Sequence, residues 1–302
     1  MYKNPLPLLV SVAVTLAALL PARAQQTYFN RQEMPDLIKC LPAPPDTVGP
    51  DFAHDILRYM WGKTQRLDSV RAAIAEGDAV WSREALFGAF EEAFGMHISP
   101  EGTPCIWRVL DNSIATVDSI RIEPKAYYHR KRPFERFGEH LLTTWEEEEL
   151  RGEGSYPSGH TMRGWLTALL LAEIHPEAAD AIFARGWMYG ESRVIVGAHW
   201  QSDVDASRVG ASIGYARLQT SPRFRADISA AQEEYIRLTQ GLPAQDVHGA
   251  QDAQEVRGTQ DAQDVRGAAA VQLHRKPLRR PSRSWRRATT RTQYRGSSRS
   301  TL

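Results

Sequence analysis

The amino-acid sequence predicts an all-α fold, built as a single compact helical domain. Apolar residues recur at helical spacing in several successive segments, whereas the alternation of apolar and polar residues that is typical of strands is scarce. The composition agrees, because 42% hydrophobic and 24% charged residues in a chain of 302 are ordinary for a globular protein with a buried core.

The N-terminus has the features of an export signal. Lys3 is followed by an apolar run at residues 6–20, and positions 22–24 (ARA) match a cleavage motif of small residues. An uncleaved membrane anchor is the alternative, but the run is shorter than the ~20 residues that a membrane-spanning helix needs. We therefore expect a signal peptide at residues 1–24, a mature protein that is soluble in the periplasm or secreted, and no later membrane-spanning segment.

Residues 25–240 are predicted to form the folded domain. The first part, 25–50, is rich in proline and is expected to run extended over the surface. Helical patterns follow, with Asp51 as the predicted cap of the first helix and Gly95 as the stop of the second. The predicted helices cover residues 51–66, 82–94, 107–128 (as one long helix or two short ones), 158–174, 177–189, 203–218 and 224–239.

Residues 241–302 differ in character from the domain before them. A nine-residue polar repeat runs from 244 to 267, and such units bury too little surface to become ordered. From Leu273 onward there are ten Lys/Arg and no Asp/Glu, which leaves 27 basic and 36 acidic residues before it, a net charge of −9. Contact of this basic tail with an anionic surface or nucleic acid is one interpretation, and an extension without a selected role is the other.

Two cysteines follow the predicted signal peptide, Cys40 and Cys105. In an oxidising compartment two cysteines can form a disulfide. The sequence does not give the distance between them, so a disulfide and two separate thiols both stay open.

The first of three polar motifs has the pattern K-x6-RP. Lys125 and Arg132 are seven residues apart, close to two helical turns, so both side chains can face the same way on a helix. Pro133 disfavours helical backbone at Arg132 and thus fixes how the chain leaves. A compact ammonium and a planar guanidinium both suit phosphate oxygens. The alternative for this motif is a basic pair on a solvated face.

The second motif is PSGH. Pro157 would stand just before or at the start of a helix, where Ser158 and Gly159 expose backbone N–H groups that bind anions. Gly159 lets a ligand approach the backbone, and His160 lies beside this cradle as a candidate proton donor. The alternative is an ordinary N-terminal cap.

The third motif is SR-x5-H-x3-D, with Arg193, His199 and Asp203. Four residues separate the histidine from the aspartate, so one helical turn would bring the two side chains together. A carboxylate that binds one imidazole nitrogen fixes the tautomer and leaves the lone pair of the other nitrogen free to attack. The alternative is a buried histidine with an ordinary aspartate partner.

Together, the three motifs predict a site for a phosphate, with three cations, two histidines and a carboxylate. The segments GSYPSGHT and SRVIVGAHWQSDVDA resemble the bacterial class A non-specific acid phosphatases, within the type 2 phosphatidic acid phosphatase superfamily. LPAPPDTVG, AFEEAFG and RKRPF have counterparts there in the same order, and the resemblance covers roughly residues 27–239. It implies the helical domain of the phosphatidic acid phosphatase and haloperoxidase kind.

The resemblance also implies an exported, metal-independent acid phosphatase (EC 3.1.3.2) that hydrolyses phosphate monoesters of broad range. His199 is then the nucleophile that becomes a phosphohistidine, Asp203 orients it, and His160 protonates the leaving alcohol, which favours a mildly acidic optimum. The expected phosphate-binding residues are Lys125, Arg132, Ser158, Gly159 and Arg193. No metal or cofactor is expected, vanadate is expected to inhibit, nucleic acid is not expected to bind the catalytic domain, and a homo-oligomer is suggested.

Other functions share these motifs. A vanadate-dependent haloperoxidase has the same cradle, but its members are usually larger. Phosphotransfer to alcohols and lipid phosphate hydrolysis belong to the same superfamily, although lipid phosphatases embed the motifs among membrane spans. A non-catalytic phosphate-binding module would have no use for the pair of His199 and Asp203. The glutamates at 146–149 are interpreted as a solvated acidic loop rather than a cation site.

Overall fold

The computed structural model describes residues 26–242, and the predicted signal peptide and basic tail lie outside them. The all-α prediction is confirmed: these residues form helices and no strand. Short 3₁₀ helices cover Arg31–Glu33, Ser119–Arg121, Thr144–Glu146 and Pro176–Ala178. The α-helices are α1 (Leu37–Cys40), α2 (Pro50–Gln65), α3 (Ser69–Gly77), α4 (Arg83–Gly88), α5 (Glu91–Phe94), α6 (Pro104–Asp118), α7 (Ile122–Tyr128), α8 (Pro133–Phe137), α9 (Glu147–Leu150), α10 (Gly159–Ile174), α11 (Ala179–Ile195), α12 (Gln201–Leu218) and α13 (Pro222–Thr239).

Helix α10 is the centre of the fold. It packs along α11 and α12 and also contacts α6 and α13. Leu166, Leu170 and Leu171 are almost fully buried, and so are small residues on its other faces. A helix that is apolar on all sides is one that neighbours cover on all sides. The N-terminus of α10, which begins with the PSGH motif, therefore lies inside the domain rather than at its surface.

Most predicted helices are present, with different bounds. The helix expected at 82–94 is interrupted at Ala89 and Phe90, which separate α4 from α5, although Ser82 caps its start and Gly95 ends it in a left-handed conformation. The helix expected at 177–189 starts in a 3₁₀ turn and continues as α11 to Ile195. The segment at 107–128 is two helices joined by a 3₁₀ turn.

The predicted cap of α2 is wrong, and the helix after it was missed. The N-cap of α2 is Gly49, Pro50 is its first residue, and Asp51 follows inside the helix instead of capping it. Helix α3, capped by Asp68, was not predicted. Its apolar residues Val70 and Ile74 are exposed, and Ala75 is its buried residue, so α3 has no wide apolar face of the kind that makes a helix recognisable in a sequence.

The proline-rich segment at residues 25–50 was expected to run extended over the surface, but part of it is packed in the core. It contains a 3₁₀ turn and α1, and Tyr28, Met34 and Leu37 belong to the main hydrophobic cluster. Cys40 is exposed, whereas Cys105 is buried, and both are free thiols. Among the described residues, no helix is long and apolar enough to cross a membrane.

Helix α6 receives its N-terminal cap from a distant helix. Thr103, which precedes α6, makes no side-chain cap. The carboxylate of Glu234 on α13 accepts hydrogen bonds from the backbone N–H groups of Cys105 (3.0 Å) and Ile106 (2.8 Å) instead. Glu234 is only 5% exposed, so this negative charge compensates the N-terminal end of α6 inside the protein. The contact ties α13 to α6.

Replacing Glu234 by alanine is expected to lower the free energy of unfolding by about 1–3 kcal/mol, because two buried N–H groups lose their acceptor. Guanidinium denaturation measures the change. The control is Glu233→Ala on the exposed side of the same helix, which should change the free energy by less than about 0.5 kcal/mol. Equal effects of the two substitutions would show that the cap contributes nothing.

Candidate active site

A cavity of about 260 Å³ opens at the N-terminus of α10. Five predicted site residues line it: Lys125, Arg132, Gly159, His160 and His199. Ser158, Arg193 and Asp203 are fully buried behind its wall. Exposed side chains of Trp81 and Trp145 stand at the rim. The three motifs, which are far apart in sequence, thus surround one space that is charged inside and has two tryptophans and two exposed glutamates on its open side.

Lys125 and Arg132 reach the cavity by a route that the sequence did not predict. They do not lie on one helix, because α7 ends at His129 in a left-handed conformation (φ 43°). The chain then turns, and Arg132 precedes α8 in an extended conformation with Pro133 in the first turn. The effect expected of Pro133 on Arg132 is present, whereas the two side chains do not face one way across two turns of a helix, as their spacing would allow.

The two basic side chains are buried and bind mainly carbonyl oxygens. Lys125 Nζ donates to Gly154 O (2.6 Å), and Arg132 Nη1 donates to Ala198 O (3.0 Å). Burial, followed by the charge of Arg132, lowers the pKa of Lys125 to about 7, although Glu153 acts in the opposite direction. The charge of Lys125 is therefore sensitive to any anion that enters the cavity.

Ser158 is the N-cap of α10. Its Oγ accepts hydrogen bonds from the backbone N–H of Thr161 (3.3 Å) and from Thr161 Oγ1 (2.9 Å), which leaves its own hydroxyl hydrogen available. At Gly159 a Cβ atom would lie 3.1 Å from the side chain of Arg121, so a larger residue would crowd this wall. The arrangement presents backbone N–H groups and a helix dipole to the cavity.

His160 is oriented by the backbone and by a tryptophan. Its Nε2 lies 3.0 Å from Ala79 O, and its ring packs against Trp81 at a centroid distance of 4.5 Å. A carbonyl oxygen only accepts, so Nε2 carries a hydrogen and Nδ1 is the nitrogen that can gain or lose a proton. Burial, then the charges of Arg193 and His199, hold the pKa of His160 well below its usual value.

His199 does not lie on a helix with Asp203, as the four-residue spacing had suggested. It precedes α12, whose N-cap is Trp200, and Asp203 lies in the first turn. The side chains are nevertheless close: His199 Nδ1 is 3.5 Å from Asp203 Oδ2. Ser155 Oγ lies 3.3 Å from the same Nδ1 and also donates to Asp203 Oδ2. The turn before the helix thus produces the pairing.

The contacts of His199 define its tautomer. Nε2 lies 3.0 Å from Arg132 Nη1. A guanidinium has only donors, so Nε2 must be the acceptor and carry the lone pair. The hydrogen is then on Nδ1, on the side of Ser155 and Asp203. Burial, then the positive charges of Arg132 and Lys125, keep the pKa of His199 well below its usual value, which favours this neutral form.

Arg193 is fully buried and only partly satisfied. Its Nη2 donates to Glu146 Oε2 (2.8 Å), whereas Nε and Nη1 have no hydrogen-bond partner among the described residues. Its charge acts on both His160 and His199, lowering their pKa values. Unpaired guanidinium donors are costly in a protein interior. Their position beside both histidines fits an anion that binds there.

The interpretation of residues 146–149 as a solvated loop is wrong for its first half. Glu146 is 7% exposed and pairs with Arg193, and Glu147 is 8% exposed and contacts His140 and Arg151. The segment forms a 3₁₀ turn and α9 beside the cavity. The described part of the chain contains no group of three or more His, Cys, Asp or Glu side chains that could hold a metal ion.

Arg130 is a buried residue beside the site that sequence analysis missed. Its Nη1 donates to Asp203 Oδ1 (2.5 Å) and its Nη2 to Asp55 Oδ2 (2.7 Å). The other oxygen of Asp203 accepts from the backbone N–H of Trp200 (2.9 Å). These contacts fix the carboxylate that lies behind His199. No motif contains Asp55, and only the fold brings it from α2 to Arg130.

The sequence was compared with known proteins. Residues 110–226, which include all the predicted site residues, match the PAP2 superfamily. A non-specific acid phosphatase of Providencia stuartii is 38% identical over 70% of this chain and 85% of its own length. A non-specific acid phosphatase of Salmonella typhi is 38% identical over 76% of this chain and 89% of its own length. An acid phosphatase of Zymomonas mobilis is 37% identical over 64% of this chain and 73% of its own length.

The extent of these matches decides the family, and the chain belongs to the PAP2 superfamily. Within it, the chain is an acid phosphatase of the class A kind, an enzyme that hydrolyses phosphoric monoesters. The predicted family and enzyme class are confirmed.

Replacing Arg130 by glutamine is expected to lower the free energy of unfolding by about 3–5 kcal/mol, because the buried carboxylates of Asp55 and Asp203 lose their shared counter-charge. Chemical denaturation measures the loss. Adding Asp55→Asn should recover part of it, since one uncompensated charge is removed. Lys131→Gln, at the exposed neighbouring position, is the control and should be nearly neutral. A loss below about 1 kcal/mol for Arg130→Gln would contradict this account.

Proposed function

We propose that this acid phosphatase is exported and hydrolyses a broad range of phosphate monoesters through a phosphohistidine, without a metal. The observation that carries the proposal is the tautomer of His199, whose Nε2 lone pair faces the cavity side of Arg132. A histidine that is buried, neutral and held by a carboxylate at Nδ1 has the properties of a nucleophile. The apolar run at residues 6–20 supports export.

The phosphoryl group would bind between the basic side chains and the N-terminus of α10. Arg193 has two unused donors, and Arg132 can exchange its contact with His199 for a phosphoryl oxygen. Lys125, the free hydroxyl hydrogen of Ser158 and the amide of Gly159 complete the set. Fixed cations and N–H dipoles of this kind stabilise the charge that develops on a transferring phosphoryl group.

The reaction would proceed in two steps. In the first, His199 Nε2 forms a bond to phosphorus while the bond from phosphorus to the ester oxygen breaks, and His160 transfers a proton to the leaving oxygen. In the second, His160 takes a proton from water, whose oxygen attacks phosphorus and displaces His199. Asp203 stabilises the positive charge that His199 acquires when it is phosphorylated. Inorganic phosphate is the product.

The environment of His160 explains why such an enzyme favours acid. As an acid, His160 must carry a proton on Nδ1 before the first step, but burial and Arg193 keep its pKa low in the empty cavity. The protonated fraction therefore grows as pH falls. A bound phosphate ester brings negative charge and raises this pKa. The rate of the first step should accordingly decrease as pH rises above the pKa that His160 has when substrate is bound.

Broad specificity follows from the contrast between the inside and the mouth of the cavity. The charged groups that would hold the phosphoryl end are buried, whereas the leaving group would face the exposed side chains of Trp81 and Trp145. The relatives named acid phosphatase favour hydrolysis over the haloperoxidase alternative. Vanadate, which resembles the five-coordinate phosphorus of the transition state, should inhibit. A homo-oligomer and the binding of the basic tail to an anionic surface stay predictions.

His199→Ala should abolish phosphoenzyme trapping and lower kcat by about 10³-fold or more, since the attacking atom is gone. The enzyme is mixed with radiolabelled p-nitrophenyl phosphate, quenched in alkaline detergent, and the label on the protein is counted, with and without EDTA. Wild-type protein should trap label equally in both conditions. Near-normal turnover by the folded variant would refute the phosphohistidine, and loss of trapping with EDTA would refute metal independence.

His160→Ala should slow the hydrolysis of alkyl phosphates by about 10²–10⁴-fold and that of p-nitrophenyl phosphate much less, because a good leaving group needs little protonation. The measurement is kcat/KM for a series of esters whose alcohols differ in pKa. His54→Ala, at an exposed position of α2, is the control and should leave the series unchanged. Equal losses for all esters would contradict the acid role.

A further inference from the structure

The loop between α9 and α10 holds Glu153 at the cavity. Gly154 packs so tightly that a Cβ there would lie 2.2 Å from Lys125 O, so only glycine fits. The carbonyl of Gly154 accepts from Lys125 Nζ, and that of Glu153 accepts from Arg132 Nε (3.2 Å). The backbone at 153–154 is therefore fixed against the two cations of the K-x6-RP motif.

The side chain of Glu153 extends from this fixed backbone to the same cations. Its Oε2 lies 3.0 Å from Arg132 Nη2, and its Oε1 lies 3.4 Å from Lys125 Nζ and 3.8 Å from Arg121 Nη1. Among the described residues, these three are the basic groups within 4 Å of the carboxylate. Glu149, which also lines the cavity, makes no ion pair in the described part of the chain.

We propose that Glu153 is an internal competitor for the phosphoryl-binding position and determines how strongly the enzyme holds phosphate. The inference rests on the proposed function, in which Lys125 and Arg132 bind the phosphoryl group. Before substrate binds, the carboxylate takes the position that two phosphoryl oxygens would occupy. Substrate must displace it, and its return helps to expel the phosphate that each turnover produces.

Exposure makes this displacement possible. The side chain of Glu153 is 41% exposed, whereas those of Lys125 and Arg132 are 7% and 1% exposed. The carboxylate regains hydration when it turns into water, and the incoming phosphoryl group replaces its negative charge beside the two buried cations. The cations cannot follow it.

A phosphoryl group offers more than the carboxylate does. It has three oxygens and up to two negative charges, whereas Glu153 has two oxygens and one charge. The third oxygen can accept from a donor with which Glu153 makes no ion pair, such as the backbone N–H of Gly159 in the cavity wall. Substrate therefore displaces Glu153, but it binds with lower affinity than it would if no carboxylate were paired with the two cations.

The protonation of Glu153 defines the pH range of the effect. Burial raises its pKa, but the charges of Lys125, Arg132 and Arg121 outweigh burial and keep the pKa below its usual value. The competitor is thus ionised at pH 5.5, where Lys125 is protonated as well. Below the pKa of Glu153 the carboxyl group becomes neutral and competition ends.

The test measures the affinity of inorganic phosphate by calorimetry at pH 5.5 for the wild type, Glu153→Gln and Glu149→Gln. Glu153→Gln should bind phosphate about three- to tenfold more tightly, because the competing charge is gone. Glu149→Gln should bind as the wild type does. The difference between Glu153→Gln and the wild type should shrink as pH falls through the lowered pKa of Glu153, since protonated glutamate resembles glutamine. A residue with only a structural role would not show this convergence.

Equal or weaker phosphate binding by Glu153→Gln would overturn the inference, and so would an equal gain for Glu149→Gln. Glu153→Ala, checked by circular dichroism, gives a second variant without the amide of glutamine and should show the same gain. If the wild type and every variant fail to bind phosphate, the proposed function itself is wrong. If all bind it with the same affinity, only the role of Glu153 is wrong.

Discussion

The structure depends on how positive charge is held inside the protein. Arg132 and Arg193 are at most 1% exposed and Lys125 is 6% exposed, so each needs partners that replace water. Carbonyl oxygens from the loops before α10 and before α12, together with Glu146 and Glu153, supply most of them. The loops are therefore fixed by the cations they satisfy. Two donors of Arg193 have no partner in the described residues, and this imbalance is what an anionic substrate would correct.

The helices explain why such a site can be rigid. Most of helix α10 is buried, including its whole first turn, and its neighbours hold its N-terminus at the cavity. Trp200 fills the space beneath His199, packing against Phe52 and Tyr59 of α2. The same helix supplies Asp55, which holds Arg130 and through it Asp203. Packing and electrostatics thus act on the same residues, as preorganised catalysis requires.

The sequence predicted the fold class and the residues around the cavity, but not the connections between them. The spacing of Lys125 and Arg132, and of His199 and Asp203, suggested that helical turns would bring each pair together, yet the chain between the members of each pair is partly non-helical. Periodicity describes helices and is silent about turns. The roles of Arg130 and Asp55 could not be predicted, because they depend on a contact between residues 75 positions apart in the sequence.

Asp203 and Glu153 show how one cavity can use two carboxylates in opposite ways. Asp203 is fully buried and bound by Arg130 and by the backbone of Trp200, so it cannot leave His199. Glu153 stands on the open side, and water can replace every contact of its side chain. A buried charge that cannot turn into solvent orients its neighbour, whereas a charge at the solvent boundary can be exchanged for a ligand. Exposure, and not residue type or proximity to the cations, therefore separates the carboxylate that supports the reaction from the one that yields to substrate.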